Sequence, residues 1–296
     1  MTRGSRICTD KRKSRLRVKG LKVNATTKDK RSIVPYCIMT TTQSGMKKSL
    51  IGKVAVVTGA SQNLGRAFAE MLGKEGASVV VHYNSANKKS DAEDIAADIR
   101  KAGSKAIVEQ ADLTKTAEIK KLFDRTMEEF GRLDILINTA GKVLKKPFID
   151  ISEEEYDSMF AVNAKAAFFC MQEAAKRMAN NGRIINMETS LVGATTPYYS
   201  AYAGSKAPLE DFARALAKEI GNRGITVNNI APGPLNTSFF YPAETKESTE
   251  YFKQQSINGQ LGEIRDIVPL AKFLVSPEAS WVTAQTIFIN GGFLTR

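Results

Sequence analysis

Histidine, tryptophan and cysteine are scarce in this 296-residue chain, which has one, one and three of them respectively. The single histidine, His82, ends a predicted strand, so we expect neither a histidine-based metal site nor a histidine-based triad. Cys8, Cys37 and Cys170 have no metal-ligand spacing and predict no disulfide framework, which is typical of a reducing compartment. No apolar run approaches the ~20 residues of a membrane-spanning helix, so we predict no transmembrane segment.

Acidic residues are nearly absent from positions 1–50, which hold 14 of the 43 Lys and Arg residues but only 2 of the 31 Asp and Glu residues. The remaining residues carry 29 charges of each sign, so the formal net charge of +12 lies entirely in this segment. A basic tail can bind a polyanion or a membrane surface, or direct a chain to an organelle. However, residues 15–19 alternate with period two, which gives a helical transit peptide little support. We therefore expect a disordered extension, or translated sequence upstream of a start at Met39 or Met46, and a cytoplasmic protein.

From residue 53 onward, short apolar runs alternate with longer segments of helical periodicity. This alternation predicts an α/β fold with a doubly wound parallel sheet, covered on both faces, that binds ligands at the carboxyl ends of its strands. Since no linker interrupts the pattern, we expect one domain over residues 51–296. The predicted strands are 53–58, 78–83, 105–109, 133–138, 182–188, 224–230 and 284–289. The predicted helices are 64–75, 89–102, 115–130, 153–180 (broken near Asn163), 201–221 and 264–275.

A glycine-containing turn joins the first predicted strand to the first predicted helix. Gly59 allows the turn to close, and Gly65 allows the helix to pack near the strand. Ser61 and the free backbone N–H groups at the helix start can face phosphate. The context of this turn predicts a site for the pyrophosphate of a dinucleotide.

Further candidate residues follow three later strands. The small residues after Asn138, up to Gly141, permit close approach of a flat ring or a sugar. Thr189 and Ser190 supply hydroxyl groups after the fifth predicted strand, and residues 232–233 (Pro-Gly) follow the sixth. Ligand contacts are therefore expected along a single edge of the sheet.

Tyr202 and Lys206 lie four residues apart, so a helix there would place them on one face. An ammonium beside a phenol favours the phenolate and lowers the pKa of the tyrosine from about 10 toward neutral pH. Such a tyrosine can donate a proton to a carbonyl or accept one from an alcohol. Taken alone, the pair would equally fit a solvated helix face, and its meaning comes from the surrounding motifs.

Together, these motifs resemble those of the short-chain dehydrogenase/reductase family over roughly residues 50–296. The sequences at 112–113 (Asp-Leu), 138–141 (Asn-Thr-Ala-Gly) and 232–233, with Asn163, match the family in order and spacing. Residues 201–206 and the C-terminal Asn-Gly-Gly at 290–292 are most similar to one branch of it. That branch holds trihydroxynaphthalene-reductase-like and 3-oxoacyl-carrier-protein-reductase-like enzymes.

The resemblance implies a single Rossmann-type sheet of about seven strands, a homotetramer, and a four-part catalytic group. Tyr202 would exchange the proton, and Lys206 would lower its pKa and hold the nicotinamide ribose. A hydroxyl group of Thr189 or Ser190 would stabilise the substrate oxygen, and Asn163 would bind a water that connects Lys206 to solvent. The implied cofactor contacts are Gly59, Ser61, Asn63, Leu64, Gly65, Tyr83, Asn84, Ser85, Asp112, Leu113, Asn138, Ala140, Gly141, Tyr202, Lys206, Pro232, Gly233 and Thr237.

Three positions depart from the pattern of the family. Asn63 replaces the usual middle glycine of the turn, and asparagine is the side chain that best tolerates a left-handed backbone. The usual paired serines are absent: the spacing to Tyr202 selects Thr189, whereas the Ser-x-x-Gly pattern selects Ser190. Pro208, two residues after Lys206, predicts that the 201–221 helix starts late or bends.

The end of the second strand lacks the carboxylate with which an NAD-selective site binds the ribose hydroxyls. Asn84 and Ser85 can instead bind a 2′-phosphate, with added charge from Lys88 or Lys89. Gln62 occupies a position where NADP-dependent members often have arginine. We predict a preference for NADP(H), with NAD(H) also possible.

The sequence therefore predicts an enzyme that reduces a carbonyl group with NADPH, on a ring ketone, a quinone or a 3-oxoacyl chain. Residues 236–262 are polar and aromatic and would form a mobile lid, or else a surface helix pair. One rival is an NAD-dependent alcohol or sugar dehydrogenase. Another is a non-catalytic nucleotide-binding protein with a polyanion-binding tail. We expect a small-molecule substrate and no metal, and we do not favour a nucleic acid as a partner.

Overall fold

The computed structural model describes residues 48–194 and 196–295, so the extension predicted over residues 1–50 lies almost wholly outside them. Cys8 and Cys37 also lie outside this part of the chain. Leu50 is 3% exposed and packs in the hydrophobic core. The fold therefore includes the residues that immediately precede the predicted domain start at 51.

Seven strands of the described chain form one parallel sheet. They are β1 (Val54–Thr58), β2 (Ser78–Tyr83), β3 (Ala106–Gln110), β4 (Ile135–Asn138), β5 (Arg183–Met187), β6 (Thr226–Pro232) and β7 (Thr286–Ile289). Their spatial order is β3-β2-β1-β4-β5-β6-β7, so the chain reverses its direction of progress between β1 and β4. The predicted fold class is confirmed, and this reversal is the point at which such sheets bind ligands.

Helices cover both faces of this sheet. They are α1 (Asn63–Lys74), α2 (Lys89–Lys101), α3 (Thr116–Phe130), α4 (Glu153–Phe160), α5 (Ala166–Arg177), α6 (Ser200–Lys206), α7 (Pro208–Ile220), α8 (Lys246–Gln255) and α9 (Ile264–Leu274). Successive strand residues point to opposite faces. Val57 therefore packs with α1, α2 and α9, whereas Val56 packs with α3, α5 and α7.

Two of the predicted helices are interrupted, each for a local reason. A π-helical turn over Ala161–Lys165 separates α4 from α5, at the break expected near Asn163. Pro208 has no N–H group to continue α6, and it occupies the first turn of α7 instead. Ala207 lies between the two helices.

The 236–262 region contains a helix that the sequence pattern did not define. A 3₁₀ turn over Tyr241–Ala243 leads into α8, whose first turn is closed by a capping box between Thr245 and Ser248. The helix is mostly polar and buries Phe252 alone among its residues, so its apolar periodicity is too weak to recognise.

Candidate active site

The carboxyl ends of the strands face one cavity of about 450 Å³. Residues from most of the predicted motifs line it. They are Gly59, Ser61, Asn63, Leu64, Gly65, Asn84, Asp112, Leu113, Ala140, Gly141, Thr189, Ser190, Tyr202, Lys206, Pro232, Gly233 and Thr237. The sheet therefore brings together segments that are up to 178 residues apart in sequence.

The turn after β1 leaves no room for larger side chains at its glycines. A Cβ atom at Gly59, where φ is +62°, would lie 2.9 Å from the Cα of Ala140. One at Gly65 would collide with the carbonyl oxygen of Gly59 and lie 2.6 Å from the Thr139 hydroxyl. Asn63 adopts a φ of +49°, so the asparagine takes the left-handed backbone expected of the missing glycine.

A hydroxyl group holds the segment after β4 beside this turn, and a histidine holds the turn itself. The Thr58 hydroxyl accepts hydrogen bonds from the backbone N–H groups of Thr139 (3.1 Å) and Ala140 (3.3 Å). His82 accepts one at Nδ1 from the N–H of Gly59 (3.0 Å), and its Nε2 donates to the carbonyl of Ala111 (2.9 Å). Burial lowers the pKa of His82 to about 4, so the ring is neutral at neutral pH.

No sequence motif indicated this role of His82. Its position at a strand end placed it near the site, but both of its hydrogen bonds join it to distant segments. The ring thereby connects the turn after β1 to the end of β3.

Three of the predicted cofactor contacts lie away from the cavity wall. The side chain of Tyr83 is 5% exposed and packs in the core. Ser85 is exposed and donates to the Oδ1 of Asn87. Asn138 donates to Asn186 (2.9 Å), which donates to Asn229 (2.9 Å), in a buried row of amides across β4, β5 and β6.

The end of β2 contributes Asn84 and one lysine to the cavity. The sequence left open whether Lys88 or Lys89 supplies charge here, and it is Lys88 that lines the cavity. Its ammonium lies 3.0 Å from Asp91, a pair that is partly exposed and so only weakly stabilising. Lys88 can therefore turn toward an anionic ligand at little cost.

Tyr202 and Lys206 lie one turn apart on α6, and both are buried, at 7% and 4% exposure. The ammonium of Lys206 donates to the carbonyl of Met187 (2.7 Å) at the end of β5. A Cβ at Gly141 would lie 3.2 Å from that ammonium, so the glycine keeps this side of the lysine open. The amine and the phenol thus face the same space at the strand ends.

The two candidate hydroxyl groups have different partners. The hydroxyl of Thr189 accepts from the N–H of Leu191 (3.3 Å), and its interaction with the phenol lowers the pKa of Tyr202. Ser190 donates instead to the carbonyl of Ala231 (3.0 Å) and accepts from Asn290 (3.1 Å). The geometry therefore favours Thr189 as the hydroxyl that acts with Tyr202.

The side chain of Asn163 lies behind the cavity, in the π-helical turn. Its Oδ1 accepts from the N–H of Lys142, and its Nδ2 donates to the Lys142 carbonyl and to Ser205, each at 2.9 Å. These bonds fix the strand-to-loop connection around Gly141. The asparagine therefore shapes the site from outside the cavity wall.

The pKa of Tyr202 differs from the sequence expectation. Burial raises it to about 12, against the effect of the Thr189 hydrogen bond, and the charge of Glu188 raises it further. Burial lowers the pKa of Lys206 to about 8, and Glu188 opposes that change. Desolvation, not Lys206, therefore governs the pKa of Tyr202, and the lowering expected from the lysine is not seen.

Glu188 lines the site, although no sequence motif indicated it. It lies in the run where the family usually has paired serines, is 4% exposed and lines the cavity. Its backbone N–H donates to the carbonyl of Ile230 (2.8 Å), which fixes it at the end of β5. Its charge acts on both Tyr202 and Lys206.

The far end of the cavity is lined mainly by apolar and aromatic side chains. They are Val143, Leu191, Tyr199, Phe239, Phe240, Phe252 and Phe293. Two of the residues come from the 236–240 segment and one from α8. The region predicted as a lid therefore does supply a wall of the cavity.

The described residues contain no cluster of three or more His, Cys, Asp or Glu side chains that could hold a metal ion. Among residues 48–194 and 196–295, no helix has the length and apolar content needed to cross a membrane.

Comparisons with known proteins agree on one group of relatives. A family model described as enoyl-(acyl carrier protein) reductase matches residues 59–294. A short-chain type dehydrogenase/reductase from Picea abies is 40% identical, over 81% of this chain and 92% of its own. A hydroxynaphthalene reductase-like protein from Metarhizium majus is 39% identical, over 84% and 97%. The crystal structure of a putative dehydrogenase from Burkholderia cenocepacia with bound NADP has 48% identity and a TM-score of 0.82, and covers 84% of this chain and 96% of its own.

Proposed function

This chain belongs to the short-chain dehydrogenase/reductase family, as its motifs indicated, and is an NAD(P)-dependent oxidoreductase; we propose that it reduces a ketone with NADPH. The placement of Tyr202, Lys206 and Thr189 at the strand ends, above the glycine turn, carries this proposal. Glycines at 59, 65 and 141 leave a cradle that added Cβ atoms would fill. Such a cradle fits the close approach of a dinucleotide backbone.

In the proposed mechanism, a side chain of the protein supplies the proton. When bound, the nicotinamide supplies hydride to the carbonyl carbon. Tyr202 holds a proton over the whole neutral range and donates it to the carbonyl oxygen. Thr189 hydrogen-bonds to Tyr202 and stabilises the charge that develops on that oxygen. Lys206, buried beside the tyrosine, holds the ribose and favours the phenolate left after the transfer.

The cofactor contacts follow from the cavity lining. Asn84 and Lys88 offer a donor and a positive charge to a 2′-phosphate, and this segment has no carboxylate to select the free ribose hydroxyls. The NADP bound to the Burkholderia relative supports the same preference. We propose that the other contacts are Gly59, Ser61, Asn63, Leu64, Gly65, Asp112, Leu113, Ala140, Gly141, Pro232, Gly233 and Thr237.

The aromatic end of the cavity supports a ring ketone or quinone as the substrate. Flat apolar rings pack well against aromatic side chains such as Tyr199, Phe240 and Phe252. A 3-oxoacyl chain remains the second candidate, because the same branch of the family suggested it. The oxidative direction on an alcohol or sugar is a weaker proposal, since Tyr202 is held in its protonated form.

The quaternary structure and location are further proposals. Tyr156 on α4 and Phe168 on α5 are 49% and 40% exposed, and Trp281, before β7, is 97% exposed. These surfaces suit the interfaces of a homotetramer, which sedimentation equilibrium of the full chain can test. We also propose a cytoplasmic location.

The function is tested by measuring turnover of ring ketones, quinones and 3-oxoacyl thioesters with NADPH and with NADH. We expect reduction of ring ketones and quinones with NADPH, at least about tenfold faster in kcat/KM than with NADH. Preference for 3-oxoacyl thioesters would replace the proposed substrate class. Equal or better use of NADH would refute the cofactor preference.

A further inference from the structure

A second group of ionisable side chains lies at the aromatic end of the cavity, and the proposed mechanism does not use it. We call it the Glu244 cluster, and it consists of Lys145, Tyr199, Glu244 and Ser248. The carboxylate of Glu244 is fully buried, whereas the side chain of Lys145 is 20% exposed. Glu244 and Tyr199 both line the cavity.

Glu244 has partners on three separate segments. Its Oε2 accepts hydrogen bonds from Lys145 and from Ser248, each at 2.5 Å. Its Oε1 accepts a short hydrogen bond from the hydroxyl of Tyr199. One carboxylate thus joins the loop after β4, the segment before α6 and the first turn of α8.

Tyr199, on the segment before α6, is in contact with rings and charges from its surroundings. The ring of Tyr199 packs edge-to-face against that of Tyr202, with 6.2 Å between centroids, and against Phe252 at 6.5 Å. The ammonium of Lys145 lies 5.6 Å from the centroid of Tyr199. The position of Glu244 therefore fixes the ring that borders the proton donor.

A buried ion pair is a costly way to hold a loop, because desolvation offsets much of its attraction. Apolar side chains could hold the same segments together without this desolvation penalty. A retained buried pair is better explained by the arrangement and charge that it specifies. Here it leaves a carboxylate at the cavity wall whose charge is balanced by Lys145.

We propose that Glu244 is a positioning and specificity-determining residue, which holds Tyr199 and α8 around an uncharged ring ketone and excludes ketones that carry an anionic group. This inference rests on the proposed reductase function. An anionic substituent at this end would meet the carboxylate of Glu244, and Lys145 is already paired with that carboxylate.

The test compares a neutral ketone with its carboxylate derivative, 1-tetralone and 6-carboxy-1-tetralone, in the full chain with NADPH. In Glu244→Gln we expect KM for 1-tetralone to rise about tenfold with little change in kcat. The reason is that Tyr199 is no longer held against the bound ketone. We expect kcat/KM for the carboxylate to rise by about the same factor, because Lys145 is then unpaired. The NADPH dissociation constant should not change.

Further variants separate charge from folding. Tyr199→Phe keeps the ring and should raise KM for 1-tetralone without admitting the carboxylate. The double variant Glu244→Gln with Lys145→Met removes the unpaired charge. It should therefore lose the rise in kcat/KM for the carboxylate derivative. Glu247→Gln alters an exposed acid on the same helix and is the matched control.

Hydrogen exchange supplies a readout that is independent of turnover. Amides of residues 246–255 should exchange faster in Glu244→Gln than in the wild type or Glu247→Gln. Unchanged exchange, or an unchanged ratio of kcat/KM between the two ketones, would overturn the inference. If the wild type reduces no ketone in the panel, the proposed function fails, and the exchange result alone decides the role of the cluster.

Discussion

At the scale of single residues, the behaviour of Tyr202 is determined first by burial and then by its neighbours. Its pKa of about 12 keeps the phenol protonated at neutral pH, which suits a proton donor better than a base. Thr189 and Glu188, adjacent in sequence, act on it in opposite directions. Substitutions at these two positions should therefore have different effects.

Glu188→Gln should lower the pKa values of both Tyr202 and Lys206, because a negative charge that favours their protonated forms is removed. Alcohol oxidation needs the phenolate, so kcat/KM for oxidation rises with pH. In the variant this rise should occur about one pH unit lower. The pH profile of kcat/KM for oxidation measures this, with Glu219→Gln on α7 as the control. A profile that stays in place or moves to higher pH would contradict the prediction.

Thr189→Val should lower kcat about 100-fold, because it removes the hydroxyl that contacts Tyr202 while keeping the shape of the side chain. Ser190→Ala should affect stability more than rate, since Ser190 is bonded to Ala231 and Asn290. Its expected cost is about 1–3 kcal/mol in the free energy of unfolding. Steady-state kinetics and urea unfolding of both variants distinguish the two roles, and the reverse pattern would assign catalysis to Ser190.

At the scale of secondary-structure elements, the start of α1 is where packing and cofactor binding depend on the same residue. Gly65→Ala places a methyl group against the carbonyl of Gly59 and the hydroxyl of Thr139. We expect at least about a tenfold loss of NADPH affinity, because the turn must open to admit the methyl group. Fluorescence titration measures this.

Gly221→Ala is the matched control, since a Cβ there meets no atom within 4 Å and φ is −61°. It should leave NADPH affinity unchanged. Equal affinity in both variants and the wild type would mean that the turn does not approach the cofactor.

Element positions were largely predictable, because they depend on local patterns. All seven strands fell where short apolar runs predicted them, and Pro208, from its missing N–H group, indicated an interruption of the 201–221 helix, where α7 begins. Side-chain partners were less predictable, since they depend on segments far apart in sequence. The amide row of Asn138 and the contacts of Glu244 with Lys145 and Tyr199 exist only after the sheet has formed.

At the scale of the whole molecule, His82 connects stability to pH. Its pKa is about 4 in the fold and about 6.5 in an unfolded chain. Between these values the unfolded chain binds a proton that the fold does not, so stability falls as pH falls through this window. The loss should reach about 3 kcal/mol near pH 4.

Urea unfolding of the wild type and of His82→Asn at pH 7 and pH 4 checks this. Carboxylates lose stabilising interactions in both proteins, so the difference in the pH dependence of unfolding isolates the histidine. The wild type should lose more stability on acidification than the variant. Equal losses would show that His82 is not held neutral by the fold.

We propose above all that Tyr202 supplies the proton when the bound nicotinamide reduces a ketone. Single-turnover oxidation of NADPH by a ring ketone, measured in the wild type and Tyr202→Phe with a parallel NADPH titration, tests it most directly. We expect unchanged NADPH affinity and a loss of at least about 100-fold in the single-turnover rate, since the variant keeps the ring and loses the acid. A Tyr202→Phe variant that reduces the ketone at the wild-type rate would contradict the account.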